Sequence, residues 1–462
     1  ENTNQIVDEL RAVMPGNSIA VLPFVDMSES QDQQYFGDGI AEEILTKLTE
    51  FPELVVMART SSFLFRDRQQ DVATLGRRLN SAHVLEGSIR RSGNPVRITA
   101  PLIETRGGTH VWSRSFDREL TVENLLGIQM EVAASVAETI ASGASLTNRS
   151  HKAGGNAANT EAYDLYLEGM YYFHQIRPVA STDFDIEFFE SAIERFEASI
   201  DKDPNWAPPH VAIARTMQFR AGIFDNNEAY DWFRLSKGHL LEAIRIDPDH
   251  ALANSALGYV LFRLDFDFPA AEAAFARART LGDYVPWSYA LFLTKMGRYD
   301  EAIEEYRLAI EHDPLSAGPR QQLAGVYRCL GRYTDSIDEL EKVLRLAPGR
   351  DDLYIPLAYL YLKTGDIETG REIFEQFKDP EIELIRYGPI YALLGDADKA
   401  YKVLEQAEAA DTWWPDYVVL TAQMLGEEER ALDYLEAAAS DDPRRLLHMQ
   451  CSNGFAALAN QT

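Results

Sequence analysis

The amino-terminal quarter of the chain alternates short apolar runs with amphipathic stretches. The run SIAVLPF at 18–24 is almost continuously apolar, which is typical of a buried strand. In residues 35–48 apolar side chains recur at helical spacing, which predicts an amphipathic helix. Because Phe-Gly-Asp-Gly at 36–39 opens this stretch, we expect the helix to begin there with Asp38 as its N-cap. An anion held by the free N–H groups of this helix start is the alternative interpretation.

The same alternation continues as far as a long amphipathic helix from Val122 to about Ala141. It predicts a second strand at 54–57 and a second helix at 72–79. Three further strands, separated by the turn sequences SGNP and RGGT, are predicted at 84–90, 96–104 and 109–116. The region is therefore predicted to be an α/β domain, a small mixed sheet with flanking helices.

Two polar motifs of this region are interpreted structurally. Arg59-Thr60-Ser61-Ser62 could suggest a nucleophile or a phosphate contact, but no His-Asp partnership can be placed beside it, so a turn is predicted. The pair Arg90-Arg91 at a strand end is interpreted as solvated charge rather than a binding site.

Beyond residue 160 the strand signals vanish and a repeat begins. Gly297, Gly331, Gly365, Gly395 and Gly426 are spaced 34, 34, 30 and 31 residues apart, and each ends a helix-like stretch. Behind four of them a small, a large apolar and a further apolar residue follow at fixed offsets: Ala302, Tyr306 and Ala309; Ser336, Leu340 and Val343; Ala400, Leu404 and Ala407; Ala431, Leu435 and Ala438. The small residue allows two helices to cross closely, and glycine allows a turn with positive φ. The pattern predicts about eight helical hairpins.

These patterns divide the chain into a linker, the α/β domain, a second linker rich in Ser, Gly, Asn and Ala, an all-α repeat superhelix, and a terminal cap or tail. The corresponding ranges are 1–16, 17–141, 142–160, 161–445 and 446–462.

The repeat region resembles tetratricopeptide repeats over residues 161–445. The first region is similar to the TolB amino-terminal-like domain in four stretches: SIAVLPF (18–24), YFGDGIAEEILTKL (35–48), VVMARTSSFLF (55–65) and AHVLEGSIRRSGNPVRITAPLIETRGGTHVWSRSFDREL (82–120). This pair of domains is known from the C-terminal halves of bacterial class III adenylate and guanylate cyclases and of membrane-anchored winged-helix regulators of the CadC/ToxR type.

The resemblance implies the sensor or adaptor half of a signalling protein whose cyclase or DNA-binding domain lies upstream, in a missing N-terminal half. It implies placement on the periplasmic, extracytoplasmic side of a bacterial inner membrane, attached through an upstream anchor. A cytoplasmic location is the alternative, since nothing in the composition decides between them.

Composition narrows the classes of function. The formal net charge of −29 argues against nucleic acid as the partner, because phosphate binding needs a concentrated basic face. Two cysteines are too few for a disulfide framework and lack the spacing of a zinc site. No HExxH, phosphate-loop lysine motif or GxGxxG occurs, so we expect no catalytic residue, cofactor or metal, and no enzyme activity in this chain.

The candidate binding residues lie in the first helices of the hairpins, which are expected to line the concave face. Counted back from the turn glycines, the predicted partner-binding residues are five cations and two aromatic anchors: Arg215, Arg263, Lys295, Arg328, Lys363, Trp287 and Tyr359. Cations in a groove of an acidic protein favour a protein or peptide with an acidic motif or a free carboxylate. The alternative is that they pair with Asp and Glu of adjacent helices.

The leading prediction is thus a non-catalytic protein-interaction and sensor module. A small-ligand receptor with a pocket in or beside the α/β domain is the alternative. Self-association as a homodimer is also considered, since the helix at 122–141 and the ends of the array could expose apolar faces.

Overall fold

A computed structural model describes residues 14–66, 70–141, 159–176, 184–223, 227–282, 286–378, 385–409 and 415–441. The chain forms two compact units. The first comprises Glu1–Tyr289 with Glu311–Leu315, and the second comprises Ala290–Ile310 with Ser316–Thr462. Most of the predicted linker at 1–16, most of the linker at 142–160 and the predicted tail at 446–462 lie outside the described residues.

The first unit contains a mixed sheet of seven strands. They are β1 (Ser18–Val21), β2 (Val25–Asp26), β3 (Val55–Val56), β4 (His83–Leu85), β5 (Ser88–Arg91), β6 (Pro95–Glu104) and β7 (Thr109–Glu119). The spatial order is β2-β5-β6-β4-β1-β3, and β7 pairs with β6. β1 runs parallel to β3 and β4, whereas β6 is antiparallel to β4, β5 and β7. The predicted strand at 84–90 is therefore two short strands.

The apolar run of β1 is buried on both faces of the sheet. Ile19 and Val21 pack into a core with the helices Gln34–Thr49 and Val122–Ala141. Ala20 and Leu22 point to the other face, where they pack with the helix Val72–Leu79. A strand covered from both sides needs apolar residues at every position, which explains why the run is continuous.

The first helix begins earlier than predicted. It runs from Gln34 to Thr49 with Gln33 as N-cap, and the Gln33 N–H donates to the carboxylate of Asp26 at 2.8 Å. Asp38 is therefore not a cap but a buried residue inside the helix, and the alternative of an anion site at this turn is wrong as well. A Cβ on Gly39 would lie 2.6 Å from Leu167. The glycines serve close packing rather than a helix start.

The RTSS motif forms a short helix, Arg59–Ser62, that receives a distant segment of the same unit. The Asp313 carboxylate accepts hydrogen bonds from Thr60 and Ser61, each at 2.5 Å. The Ala58 N–H donates to the His312 carbonyl. The hydroxyls of this motif are thus structural, as the sequence suggested, but they hold residues 311–315 rather than a turn.

From residue 160 onward the described structure is helical. Eight consecutive helix pairs, here called repeats 1 to 8, are Thr160–Phe173 with Phe184–Lys202; Ala207–Ile223 with Asn227–Ile246; Ala251–Val260 with Phe268–Leu281; Pro286–Lys295 with Tyr299–His312; Ala317–Cys329 with Tyr333–Leu346; Tyr354–Thr364 with Ile367–Phe377; Gly388–Leu393 with Ala397–Ala409; and Pro415–Met424 with Glu428–Asp441. A π-helical turn, Leu261–Asp265, extends the first helix of repeat 3.

The five periodic glycines occupy the turns inside repeats 4 to 8, and all have positive φ, from +71° at Gly297 and Gly331 to +89° at Gly365. A Cβ at any of them would meet open space, so backbone conformation alone demands glycine there. The fold class predicted from the sequence, a small mixed sheet with helices followed by tetratricopeptide-type repeats, is confirmed.

Repeat 1 shares the hydrophobic core of the sheet. Ala162, Tyr163 and Leu167 of its first helix pack in one cluster with Ile40 and Ile44 of the helix Gln34–Thr49. The sheet and the first repeat are therefore one folding body within the first unit. None of the described helices is both long enough and apolar enough to span a bilayer.

Candidate functional site

A cavity of about 160 Å³ lies in the second unit, among the first helices of repeats 5 to 8. Its apolar wall comes from Leu340, Leu353, Ile355, Leu360 and Leu420. Its polar groups come from six side chains, which lie on those helices, on the second helix of repeat 5 and in the turn before repeat 7: Gln321, Arg328, Ser336, Tyr359, Arg386 and Tyr417. The ring of Tyr417 also forms part of the lining. The small volume and the mixed lining define what the site can hold.

Tyr359 is the buried hydroxyl of this cavity. Burial raises its pKa to about 12, and the neighbouring Tyr333 and Tyr417 act in the same direction. The positive charge of Arg328 opposes this shift, which indicates that the guanidinium lies near the phenol. Tyr359 is therefore a neutral hydrogen-bond donor at every physiological pH, beside a permanent positive charge.

Arg386 contributes a polar atom that the rest of the site leaves unsatisfied. Its Nε is buried and has no hydrogen-bond partner among the described residues. Its guanidinium carbon lies 6.0 Å from the centre of the Tyr387 ring. A buried N–H without an acceptor costs roughly 1–3 kcal/mol, so its presence in a cavity calls for an explanation.

Together these groups form a pocket with an apolar floor and donors on its wall. Two guanidinium groups and a phenol provide donors for a carboxylate or another anion. Leucine and isoleucine side chains offer surface for an apolar side chain. Neither guanidinium has an ion-pair partner among the described residues, so the pocket carries net positive charge within a chain that is acidic overall.

The seven side chains predicted for one groove are divided between the compact units. The first unit contains Arg215, Arg263 and Trp287. The second unit contains Lys295, Arg328, Lys363 and Tyr359. Of these, Arg328 and Tyr359 line the cavity together. That all seven face one groove stays a prediction.

Outside the cavity, three of the predicted cations contact aromatic rings. The guanidinium of Arg215 lies 5.5 Å from the Phe173 ring, and that of Arg263 lies 5.8 Å from the Phe233 ring. The Lys363 ammonium lies 5.4 Å from the ring of Tyr333. Lys295 also has a partner, and the Trp287 ring packs 6.2 Å from that of Tyr259. Cation–π contacts of this kind already engage the charge without neutralising it.

Sequence reasoning missed Arg386 and Tyr417. Arg386 precedes the short first helix of repeat 7, in a 3₁₀ turn that the counting from glycines does not reach. The shortened spacing of 30 residues between Gly365 and Gly395 was the available signal, because it marks repeat 7 as irregular. Irregular repeats place side chains where the periodic rule cannot predict them.

A second cluster of charges lies in the first unit, between the helix Gln34–Thr49 and repeats 1 and 2. Both carboxylate oxygens of Glu42 lie 3.1 Å from His174 Nε2, and one lies 3.1 Å from Arg59 Nε. Burial on its own would raise the pKa of Glu42, but His174, Arg59 and Arg215 lower it to about 2. Arg215, which the sequence assigned to a binding groove, thus acts electrostatically on this carboxylate.

Two further ion pairs flank this cluster. Arg66 donates two hydrogen bonds to the carboxylate of Asp38, at 2.8 and 2.5 Å. Arg91 lies 3.3 Å from Asp164 of repeat 1, so the expectation of solvated charge at Arg90-Arg91 is wrong for Arg91. The reason is that repeat 1 packs on the sheet and brings Asp164 to the strand end. Among the described residues no three His, Cys, Asp or Glu side chains are grouped to hold a metal ion.

Family models match two parts of the chain. The model of the FlgO protein family matches residues 2–116, which contain β1 to β6 and most of β7. A tetratricopeptide repeat model matches residues 287–314, which contain most of repeat 4. The chain is therefore FlgO-like in its amino-terminal part and carries tetratricopeptide repeats. The resemblance to the TolB amino-terminal-like domain stays a prediction.

The chain is also similar to a curated relative and to solved structures. The Rhizobium meliloti (strain 1021) protein named "Putative adenylate cyclase 3" is 32% identical over 197 residues, which are 43% of this chain and 32% of that protein. The similarity thus spans about a third of the curated relative. The structure of Pseudomonas aeruginosa pilF is 19% identical, with a TM-score of 0.37, over 48% of this chain and 97% of that one. The pilus biogenesis factor PilW is 18% identical, with a TM-score of 0.34, over 55% and 94%.

Proposed function

We propose that this chain is the non-catalytic interaction and sensor half of a bacterial signalling protein, and that the cavity of repeats 5 to 8 holds one end of a partner protein segment. The role as an interaction module rests on the fold alone, since tetratricopeptide repeats form protein-interaction modules. The observation that supports binding of a partner segment in the cavity is the buried Nε of Arg386, which has no hydrogen-bond partner among the described residues and lies in the same lining as Arg328 and Tyr359.

The size of the cavity favours a protein segment over a metabolite. Pockets that enclose drug-sized ligands measure about 300–1,000 Å³. A cavity of about 160 Å³ accommodates one side chain or a chain terminus. The remainder of such a segment would lie along neighbouring helices, as a peptide does when one anchor residue enters a pocket.

The chemistry of the lining favours an anion at that end. A carboxylate placed between Arg328 and Arg386 would accept charge-assisted hydrogen bonds and satisfy the orphan Nε. A residue with an apolar side chain beside the carboxylate would contact the leucine and isoleucine wall. We therefore propose that the partner presents an acidic residue or a free C-terminal carboxylate next to an apolar side chain.

The signalling role rests on the curated relative. That relative is named a putative adenylate cyclase, and its similarity to this chain spans about a third of its own length. We propose that an effector domain of this kind lies in the same polypeptide as the present domains, which would bind the partner and pass the signal on. We propose an extracytoplasmic location, and an alkaline phosphatase fusion of the full polypeptide in intact cells tests it, because that enzyme is active only after export.

The binding proposal is tested by fluorescence anisotropy with C-terminal peptide libraries, each peptide prepared with a free carboxylate and as an amide. We expect carboxylate peptides to bind, and Arg386→Gln to weaken the best of them at least about tenfold, because a buried charge partner is lost. Arg371→Gln is the matched control, since it removes the same charge from an exposed position of repeat 6. Equal binding of amides, or equal affinity of the two variants, would contradict the proposed site.

A further inference from the structure

The longest strand of the sheet lies at an edge. β7 has 11 residues and pairs on one side with β6, and no other described strand pairs with it. Most of its residues are exposed on both faces. Natural sheets usually shorten or cover such an edge, because unpaired N–H and C=O groups attract a further strand. A long open edge in this place therefore calls for a partner strand.

The hydrogen bonds to β6 fix which backbone groups of β7 point outward. The Leu120 N–H donates to the Asn94 carbonyl at 2.7 Å, and the register pairs Arg114 with Ala100 and Phe116 with Ile98. Because hydrogen-bonded pairs alternate in an antiparallel ladder, the even-numbered residues of β7 bond to β6. The N–H and C=O groups of the odd-numbered residues, from Ser113 to Asp117, point to the open edge.

The prolines of β6 support this assignment. Pro95 and Pro101 lack an N–H and stand opposite Glu119 and Ser113, which are odd-numbered positions of β7. No hydrogen bond between β6 and β7 is needed at those pairs. Toward the end of β7 two outward carbonyls accept hydrogen bonds within the chain: that of Asp117 accepts from the exposed Arg118 guanidinium at 2.9 Å, which a second strand would displace, and that of Glu119 accepts from Thr121 N–H.

We propose that this edge binds a second copy of the same chain, with the two β7 strands antiparallel about a two-fold axis at Ser115. Outward groups of Ser115 would then pair with each other, and those of Ser113 with those of Asp117 in the second copy. The two sheets would become one continuous sheet across the axis.

The side chains of β7 are complementary to themselves in this register. On the face that carries Phe116, Arg114 would stand opposite Phe116 of the second copy, and Trp112 opposite Arg118. On the other face, the Ser113 hydroxyl would stand opposite the Asp117 carboxylate. Cross-strand neighbours of these kinds are favourable, as cation–aromatic and hydroxyl–carboxylate pairs. Moving the axis by one residue, to Arg114, would instead place two arginines directly opposite each other.

The helix beside β7 extends the same surface. Arg114 pairs with Glu131 of the helix Val122–Ala141 at 2.5 Å, so this helix lies next to the open strand. Met130, the neighbour of Glu131, exposes 59% of its surface, and Val111 of β7 exposes 41%. In the register above, Val111 would stand opposite Glu119 of the second copy.

Sedimentation equilibrium of the 462-residue chain over a range of concentrations tests the proposal. We expect a reversible dimer of the 52.0 kDa chain. Ser115→Pro removes an outward N–H without touching the backbone hydrogen bonds to β6, and proline is tolerated at such edge positions. It also removes the hydroxyl that lies 3.0 Å from Thr99 Oγ1 of β6, a contact that Ser115→Ala loses as well. It should raise the dimer dissociation constant at least about tenfold. Ser115→Ala is the matched control and should leave the dimer unchanged, since it keeps the N–H.

A second variant and a second measurement keep the test independent of folding. Ser113→Asp places a carboxylate opposite Asp117 of the second copy, and because like charges directly opposite each other repel, it should also weaken the dimer. Residue-resolved hydrogen exchange should show slow amides at Ser113, Ser115 and Asp117 only at concentrations where the dimer forms. The amides of Trp112, Arg114 and Phe116 should be slow at all concentrations, because β6 holds them.

Two results would overturn the proposal. One is a chain that remains a monomer at every concentration, with fast exchange at the odd-numbered amides. The other is a dimer that Ser115→Pro and Ser113→Asp leave unchanged, which would place the contact elsewhere in the molecule.

Discussion

The packed glycines of the α/β part and the turn glycines of repeats 4 to 8 are needed for opposite reasons. A Cβ on Gly76 would lie 2.4 Å from Thr105, and one on Gly87 would lie 2.4 Å from the Phe24 ring. At Gly331 and Gly365 a Cβ would meet nothing, but φ is +71° and +89°. At Gly76 and Gly87, glycine is needed for the absence of a side chain. In the turns of repeats 4 to 8, it is needed for a backbone conformation.

Charged residues show the same contrast. In the first unit, Glu42 is largely buried and its partners Arg59 and His174 lie far away in sequence. In the second unit, many ion pairs are exposed and join residues three apart on one helix, as Arg332 and Asp335 do at 2.6 Å. Arg320 and Glu339 are a buried exception. The sheet thus depends on specific long-range contacts, whereas the repeats depend mainly on local ones.

The largest effect is expected from Glu42→Gln. The change leaves Arg59 without its buried counter-charge, which typically costs about 3–5 kcal/mol. Asp335→Asn is the matched control, because it removes one carboxylate from an exposed pair worth at most about 1 kcal/mol. The free energy of unfolding from urea denaturation checks both. Equal costs for the two variants would break the contrast between the units.

A smaller effect is expected from acid. The pKa of Glu42 is lowered from 4.5 to about 2, so its ionised form stabilises the fold fully above pH 4.5. That contribution, up to about 3 kcal/mol, should be lost as the pH falls from about 4.5 to 2. Glu42→Gln should flatten the dependence of the unfolding free energy on pH in this window. A wild-type curve that is no steeper than that of the variant would argue against the network.

The next effect sharpens the comparison of glycines. Gly76→Ala should cost about 1–3 kcal/mol, because the buried Thr105 hydroxyl donates to two carbonyls and cannot move aside. Gly331→Ala should cost about 1 kcal/mol through strain at positive φ. Asparagine separates the two causes. It tolerates the left-handed region, so Gly331→Asn should be milder than Gly331→Ala, whereas Gly76→Asn should be worse than Gly76→Ala. Thermal unfolding of the four variants measures the order.

The smallest effect is expected from Arg386→Leu in the second unit. Because its buried Nε has no partner among the described residues, its removal should not lower the free energy of unfolding by more than about 0.5 kcal/mol. The change should nevertheless abolish binding of carboxylate peptides. A large loss of stability would identify Arg386 as a structural residue instead of a binding one. Glu42 and Arg386 would then both have a structural role.

Much of the architecture could be predicted because its causes are local. The continuous apolar run of β1 and the helical spacing in Val122–Ala141 follow directly from burial. The turns of the repeats could be predicted because a positive φ favours glycine, and the periodic glycines are visible in the sequence. Asp38 was misassigned because Gly37 and Gly39 resemble a helix start, while their reason is contact with Phe24 and Leu167.

The candidate site could be predicted only in part. Arg328 and Tyr359 follow the periodic rule and were found, because regular repeats place equivalent residues on equivalent faces. Arg386 lies in an irregular turn, and its burial depends on how repeats 6 to 8 pack around it. The pairing of Glu42 with His174 joins residues that are 132 positions apart in the sequence, and no local pattern predicts such a contact.

The segment 311–315 has a consequence for how this protein is dissected and how it folds. Its Asp313 binds Ser61 across 252 residues of sequence, and Leu315 N–H donates to the Ser61 hydroxyl. A polypeptide truncated at residue 289 would lack the segment 311–315. Part of the apolar cluster that contains Met57 and Phe65 would then be exposed to solvent. The sheet reaches its final form only after the ribosome has synthesised the first four of the eight repeats, so the amino-terminal half of the molecule contains contacts between residues far apart in sequence.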